Sequence, residues 1–349
     1  MKLFIPGRLC LFGEHSDWAG GYRRTNPILE KGYTLIVGTN QGLYADVKPH
    51  PTQFIFRSSQ GASVELPADP QILLDEARRG GFFSYAAGVA YQVITRYAVA
   101  GVEIENDRTD LPIGKGLSSS AALCVLVARA FNRSYDLKLS SDEEIELAYQ
   151  GERTTSSRCG RMDFGCAYGR RPILMIFDGD RVRIIPLAVP QDLFLVIVDL
   201  GASKDTREIL HQLDRCYPFA TDELCQNVRF YLGTINRTIT QNAVEALKRG
   251  DARQIGKLMK QAQTQFDRYL KPACLSQLNA PILHALLDYP HLKPYIFGGK
   301  GVGSQGDGTA QFIAKNAKSQ QQIIDIIHRD FPQMRCLKLS IETKARMES

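Results

Sequence analysis

The chain has 349 residues, 44% of them hydrophobic and 23% charged, with a formal net charge of +6. That length exceeds one ordinary core and suits two lobes, and the composition is that of a globular protein. No run approaches the roughly 18 apolar residues a membrane helix needs, and no dense basic block with interleaved aromatics argues for nucleic acid.

The mild positive charge would allow an anionic ligand, but it reads first as an ordinary solvated surface. The apolar start at Met1–Ile5 breaks at Pro6-Gly7, too short for a secretory leader core, so a cytoplasmic protein is expected. Eight cysteines are scattered without a CxxC pair, several inside apolar runs such as 121–127. Buried, reduced thiols are the expectation, and no zinc site.

In chain order, Lys2–Ile5, Thr34–Gly38 and Tyr44–Lys48 read as short strands separated by glycine-rich turns. Phe82–Tyr97 reads as a helix and Val102–Glu105 alternates as a strand. A glycine-rich loop at Pro112–Gly116 precedes an apolar helix from about Ser119 to Asn132, and Ser141-Asp142-Glu143-Glu144 opens another with a capping pattern. Ile173–Phe177 and Val182–Leu187 flank Asp178-Gly179-Asp180 as a hairpin, and Leu193–Val198 is an apolar strand. Helices are expected at Asp205–Leu213, Thr221–Thr238, Asn242–Lys248 and Ala252–Tyr269, then a glycine loop at Gly298–Gly308. Strands at Thr309–Ala314 and Leu337–Glu342, with a helix at Ser319–Asp330 between them, close the chain. The change from strand-rich to helix-rich near Pro190 places a lobe boundary there.

The most informative stretch runs from Asp110 through Pro112, Gly114, Lys115, Gly116 and Leu117 to Ser118-Ser119-Ser120-Ala121. Glycines bring backbone close to a ligand, and a helix starting just after them offers unpaired N–H groups and a positive dipole end, which together make a phosphate cradle. The other reading is a tight turn with serines capping a buried helix. It is not a Walker loop, because Gly-Lys is followed by Gly116. Two companions are Pro6-Gly7-Arg8 leading to Gly13-Glu14-His15-Ser16-Asp17-Trp18, and Gly298-Gly299-Lys300-Gly301-Val302-Gly303-Ser304-Gln305-Gly306-Asp307-Gly308.

Read together, these segments resemble the GHMP kinase superfamily. The first motif is similar to the galactokinase signature, the second to the family's Pro-x-x-x-Gly-Leu-Ser-Ser-Ser-Ala loop, and Cys159-Gly160-Arg161-Met162-Asp163 to a galactokinase Cys-Gly-x-Met-Asp segment. Tyr85-Ala86-Ala87-Gly88-Val89 resembles a helical segment of sugar kinases. The pieces occur in family order from residue 5 to about 314. The resemblance implies an α+β, two-lobed fold: an S5-like ATP-binding lobe, 1–190, and a ferredoxin-like lobe, 191–349.

The same resemblance implies site roles. Asp163 matches the carboxylate beside the attacking hydroxyl, either accepting its proton or positioning it. Arg8 matches an arginine that stabilises developing charge and holds Asp163 ionised. Pro112, Gly114, Lys115, Gly116, Leu117, Ser118, Ser119 and Ser120 match the ATP-binding loop. Ser120, with Ser119 as the alternative, and Glu152 match the ligands of Mg²⁺, which needs few protein oxygens. Glu14, His15, Asp17 and Gly160 match contacts to sugar hydroxyls, with Arg8 and Asp163 reaching the same substrate, and Trp18 is expected to pack. In the third motif Gly301, Gly303 and Ser304 form a mobile glycine loop. It departs from the family's glycine run at Ser304-Gln305-Gly306-Asp307, where Asp307 is awkward near phosphates unless it points away or meets a metal.

The expectation is an ATP- and Mg²⁺-dependent kinase acting on a sugar or sugar acid at the anomeric hydroxyl, with galactose, arabinose and glucuronate all open. A mevalonate-like or other polyol kinase, a catalytically silent ATP- and sugar-sensing relative, and an RNA-binding S5-like module are the alternatives.

Overall fold

The computed structural model describes residues 1–112, 116–157 and 159–343 as interleaved helices and strands. In chain order these are β1 (Lys2–Phe12), α1 (Ser16–Gly21), β2 (Gly32–His50), β3 (Gln53–Arg57), β4 (Ser63–Pro67), α2 (Pro70–Arg79), α3 (Ser84–Arg96), β5 (Gly101–Thr109), α4 (Ser119–Ser134) and α5 (Ser141–Arg153). A 3₁₀ segment at Arg161–Tyr168 leads to β6 (Ile173–Asp178), β7 (Arg181–Pro186), β8 (Leu193–Asp199), α6 (Thr206–Asp214), α7 (Glu223–Phe230) and α8 (Asn236–Lys248). The chain continues through α9 (Ala252–Tyr269), α10 (Leu275–Leu278), α11 (Pro281–Leu287), β9 (Ile296–Gly301), β10 (Thr309–Ala314), α12 (Ala317–Asp330) and β11 (Arg335–Ile341). No described helix is long and apolar enough to cross a membrane.

The chain divides into two compact units, Met1–Arg8 with Gly38–Arg170 and Leu9–Val37 with Arg171–Ser349. This partition differs from the expected one at residue 190. The reason lies in strand pairing: Gly32–Ile36 of β2 pair with Phe177–Ile173 of β6, and β6 pairs with β7, so residues 9–37 group with the later chain.

In the first unit the strand order is β4-β3-β5-β2, with β3 parallel to β5 and the other pairs antiparallel. β5 shows why its face is buried: Val102 and Ile104 point inward while Glu105 is exposed, the two-residue period of a strand. Helix α4 buries almost all of Ala121–Phe131, as its unbroken apolar run demands. Helices α3 and α5 cross closely enough that a Cβ on Gly88 would stand 2.3 Å from the carbonyl oxygen of Gly151. The expected strands at 34–38 and 44–48 are one strand, because Gly42 is no turn. A Cβ there would meet the Ile5 carbonyl at 2.2 Å, so the glycine admits a close neighbouring backbone. The α5 cap is Ser140 with Glu143 in a reciprocal capping box, one residue earlier than the sequence pattern suggested.

The second unit holds a four-stranded antiparallel sheet in the order β11-β8-β10-β9. One core packs Val196, Val198, Phe312, Ile323 and Ile327, and another gathers Leu29, Ile209, Leu213, Tyr231 and Phe266. Helices expected at 221–238 and 242–248 form one run whose irregularity is a π turn at Tyr231–Ile235, because Ile239 and Thr240 are buried and tertiary packing overrides their weak helix propensity. The expected loop 298–308 starts later: Gly298–Gly301 belong to β9, whose Gly298 lets α9 approach, a Cβ there standing 2.0 Å from Gly256 O. Cys216 and Cys225 are joined as a disulfide, correcting the expectation that all thiols are reduced; the loop between α6 and α7 brings their Cα atoms to 4.7 Å.

Gly88→Ala should lower stability by about 1–3 kcal/mol, the usual range for overpacking, since the added methyl meets backbone. Gly21→Ala, where nothing lies within 4 Å of the added carbon, should be neutral or stabilising by up to about 1 kcal/mol. Urea midpoints of the two variants check the contrast in sign.

Candidate active site

In the first unit, Arg8 on buried β1 gathers three segments. Its backbone N–H donates to Leu117 O at 3.0 Å, and its Nη1 donates to Gly116 O at 3.0 Å. Its Nε donates to Asp163 Oδ1 at 3.1 Å, and Nη2 bonds the same oxygen in an ion pair. Ser118 Oγ donates to that oxygen too, at 3.0 Å. The carboxylate is therefore fixed by charge-assisted bonds from one side, all to Oδ1, beside the loop that enters α4.

Ser118 is the N-cap residue of α4, held at φ 57, and its hydroxyl makes no capping bond. Because that hydroxyl is turned to Asp163, the first-turn N–H groups of α4 have no side-chain acceptor, and the positive end of the helix dipole stays available to an anion. Ser119 and Ser120, both half-buried, stand on this first turn.

Glu152, buried on α5, accepts from Ser157 Oγ at 2.8 Å, with Cys124 Sγ 3.8 Å from its other oxygen. Burial pushes its pKa up to about 7; the negative charge of Asp163 adds to this, against the Ser157 hydrogen bond. A divalent cation would reverse both effects, so the residue fits a metal ligand. No group of three or more His, Cys, Asp or Glu residues is gathered to hold a metal among the described residues. A small donor set of this kind suits Mg²⁺, which keeps waters and phosphate oxygens in its shell.

In the second unit, Glu14 and His15 end the turn after β1 and Asp17 sits on the first turn of α1; all three are buried. Lys300 on β9, fully buried, forms an ion pair with Glu14 Oε1 and donates to Gly301 O at 2.8 Å. Asn236, just past the π turn, donates to Glu14 O and Ser16 Oγ, both at 3.1 Å. Trp18 Nε1 donates to His15 Nδ1 at 3.2 Å, which puts the imidazole proton on Nε2, and Nε2 has no protein partner. Burial first, then Lys204 and Lys300, lowers the His15 pKa to about 3. His15 is thus a neutral imidazole with one N–H unused.

The structure brings Arg8, Gly116, Leu117, Ser118 and Asp163 together, with Glu152 in electrostatic reach of Asp163. Pro112 lies half-buried before the loop, Gly160 precedes the 3₁₀ segment of Asp163, and Gly114 and Lys115 fall outside the described residues. In the third motif Gly301 is the end of β9 rather than loop, Gly303 follows at φ 64, and Ser304 Oγ stands 3.1 Å from Thr206 Oγ1. Asp307 is engaged by the backbone: its Oδ1 accepts from Leu283 N at 2.8 Å. Sequence reasoning gave no role to Lys300 or Asn236, whereas the resemblance places Lys204-Asp205-Thr206 where relatives contribute substrate contacts. For Lys300 a signal existed, a lone lysine within a glycine run entering a strand.

The sequence profile of the GHMP kinases N terminal domain matches residues 84–170. A galactokinase from Thermococcus kodakarensis is 28% identical over 298 residues, 78% of this chain and 80% of its own. The fold is similar to that of Lactococcus lactis galactokinase complexed with galactose, at a TM-score of 0.72 and 16% identity over 98% of this chain and 93% of that one. It is also similar to Methanococcus jannaschii mevalonate kinase, at a TM-score of 0.71 and 19% identity over 97% of both chains.

The buried imidazole predicts a pH dependence. His15 binds a proton below about 3 in the folded chain and below 6.5 when unfolded. Between these values the unfolded chain holds more protons, so stability is complete above 6.5 and falls as pH drops toward 3. The slope is at most about 1.4 kcal/mol per pH unit. His15→Asn, which tolerates the left-handed backbone, should flatten this limb; urea midpoints across the window measure it.

Proposed function

We propose, from the premise that this chain belongs to the GHMP kinase superfamily, that it transfers the γ-phosphoryl group of ATP to a sugar or sugar-acid hydroxyl, at the anomeric position. The observation that carries this reading is the single lock in which Arg8 and Ser118 hold Asp163 beside an uncapped helix N-terminus. Phosphoryl transfer needs little covalent chemistry from protein; it needs positioning, charge stabilisation and an acceptor for one proton.

The uncapped N–H groups of α4, with the hydroxyls of Ser119 and Ser120, bind phosphate oxygens. With Oδ1 engaged, Asp163 Oδ2 orients the sugar hydroxyl and takes its proton as the hydroxyl oxygen bonds phosphorus and the bond to ADP breaks. Arg8 balances the carboxylate and the charge on the transferring group. Glu152 and Ser120 would hold Mg²⁺, which supplies charge neutralisation at the phosphates.

Glu14, His15 and Asp17 take the hydroxyls of the sugar. Glu14 is paired with Lys300, and His15 offers a neutral N–H donor. A set of this polarity favours a polyol over the mostly apolar acid that a mevalonate-like kinase accepts. Asp163 and Glu152 are both present and assembled, which favours turnover over a silent sensor. The dependence on ATP agrees with a cytoplasmic site of action.

ADP release across a panel of monosaccharides, uronic acids and mevalonate tests the reading; turnover with mevalonate alone would overturn it. Asp163→Asn should lower kcat by roughly 10²–10⁴ while sugar binding persists. Glu152→Gln should raise the Mg²⁺ concentration giving half-maximal rate roughly tenfold or more, with the sugar KM little changed.

A further inference from the structure

Gln305 occupies a position that the family pattern fills with glycine. Its side chain is only 1% exposed, and neither Oε1 nor Nε2 has a hydrogen-bond partner. Leaving a buried carboxamide unpaired is unfavourable, because its desolvation goes uncompensated. Its backbone is held at φ 62, a left-handed conformation that favours glycine, and glycines flank the site at Gly303 and Gly306. Two unfavourable features at one residue mark a functional site, since such strain persists where something else compensates for it.

The surroundings fix the residue. Its N–H donates to Val302 O at 3.1 Å, and its carbonyl accepts from Lys204 Nζ at 2.8 Å. Gly301 makes the space, for a Cβ there would stand 2.8 Å from Gln305 Oε1. Gly301 follows Lys300, the partner of Glu14, so the carboxamide belongs to the same polar cluster. His15 in that cluster shares all three traits: it is buried, lies at φ 67, and carries an unpartnered Nε2.

We propose that Gln305 is an acceptor-recognition residue whose carboxamide binds two neighbouring hydroxyls of the sugar. This rests on the sugar-kinase reading above and deepens it. A carboxamide pairs one acceptor oxygen with two N–H donors, and a hydroxyl both donates and accepts, so adjacent hydroxyls complement it without any charge. A carboxylate or phosphate would leave the amide oxygen facing an anion, which argues for a neutral diol at this point of the ligand.

Gln305→Gly is the informative variant, because glycine adopts φ 62 without strain and the change removes the unpaired amide. The variant should fold, with an unfolding temperature equal to or above that of the unaltered protein. Trp18, the only tryptophan and bonded to His15, reports sugar binding by fluorescence without turnover. Monosaccharides and their monodeoxy forms are titrated against both proteins, with ADP release followed in parallel. The expected result is a loss of sugar affinity in the variant of roughly tenfold or more, appearing in the sugar KM and not in that of ATP. Two neighbouring deoxy positions that weaken binding to the unaltered protein should no longer do so in the variant.

Equal sugar affinity in the two proteins, unchanged deoxy discrimination, or no monosaccharide binding to the unaltered protein would each overturn the proposal. Sugar binding that depends on Gln305 without ADP release would instead sustain it and overturn the kinase reading. Turnover that is indifferent to Gln305 would do the reverse.

Discussion

The ion pair between Arg8 and Asp163 determines how the first unit arranges its charge. Arg8 is buried, and its guanidinium reaches the loop carbonyl of Gly116 as well as the carboxylate. A planar five-donor group can make these bonds at once; a lysine cannot. Removing one partner of a buried pair typically costs about 3–5 kcal/mol, because the other charge is left uncompensated. The pair is therefore structural and chemical together. It fixes the loop before α4 and leaves Ser118 free to bond Asp163 rather than cap its own helix. Glu152 forms no ion pair among the described residues, and its elevated pKa follows from burial, with the second carboxylate nearby adding to it.

The second unit solves a different problem, burying polar groups without a net charge. Lys300 and Glu14 pair with one another, and burial first, then the two nearby lysines, keeps the His15 ring neutral. Among the described residues the buried polar atoms left without a partner there belong to uncharged groups, the His15 imidazole and the Gln305 carboxamide among them. Neutral donors and acceptors in a buried setting discriminate strongly among ligands, since a ligand lacking the matching hydroxyl leaves them unsatisfied.

Much of this was legible in the sequence where a motif coincides with an element end. The Gly116–Ser120 loop opening a helix, the hairpin at Asp178-Gly179-Asp180 and the strand at Leu193 were all readable from local pattern. Glycine misled the reading elsewhere. Gly42 and Gly298 sit inside strands because another backbone passes close by, and a single chain gives no sign of that neighbour. Strands β3 and β4 and helix α2 were not anticipated, although Asp69 before Pro70 carries a usable N-cap signal. The pairing of Cys216 with Cys225 depends on how the loop after α6 folds back, and so was hidden too. Partnerships across long sequence distances were the least visible: Glu14 meets Lys300 only through the closing of the second unit.

The three motifs therefore differ in what their residues constrain. Arg8 and Ser118 both bond Asp163, so a change at the carboxylate disturbs both. Gln305 stands where the family pattern has glycine, and it is compatible with the backbone that glycine would adopt: the left-handed turn persists there. Side chains can be added at such positions without altering the path of the chain. A glycine run that keeps its backbone shape while gaining a buried amide alters what a ligand meets. The departure from the family pattern is, on this account, where the chain sets its choice of acceptor.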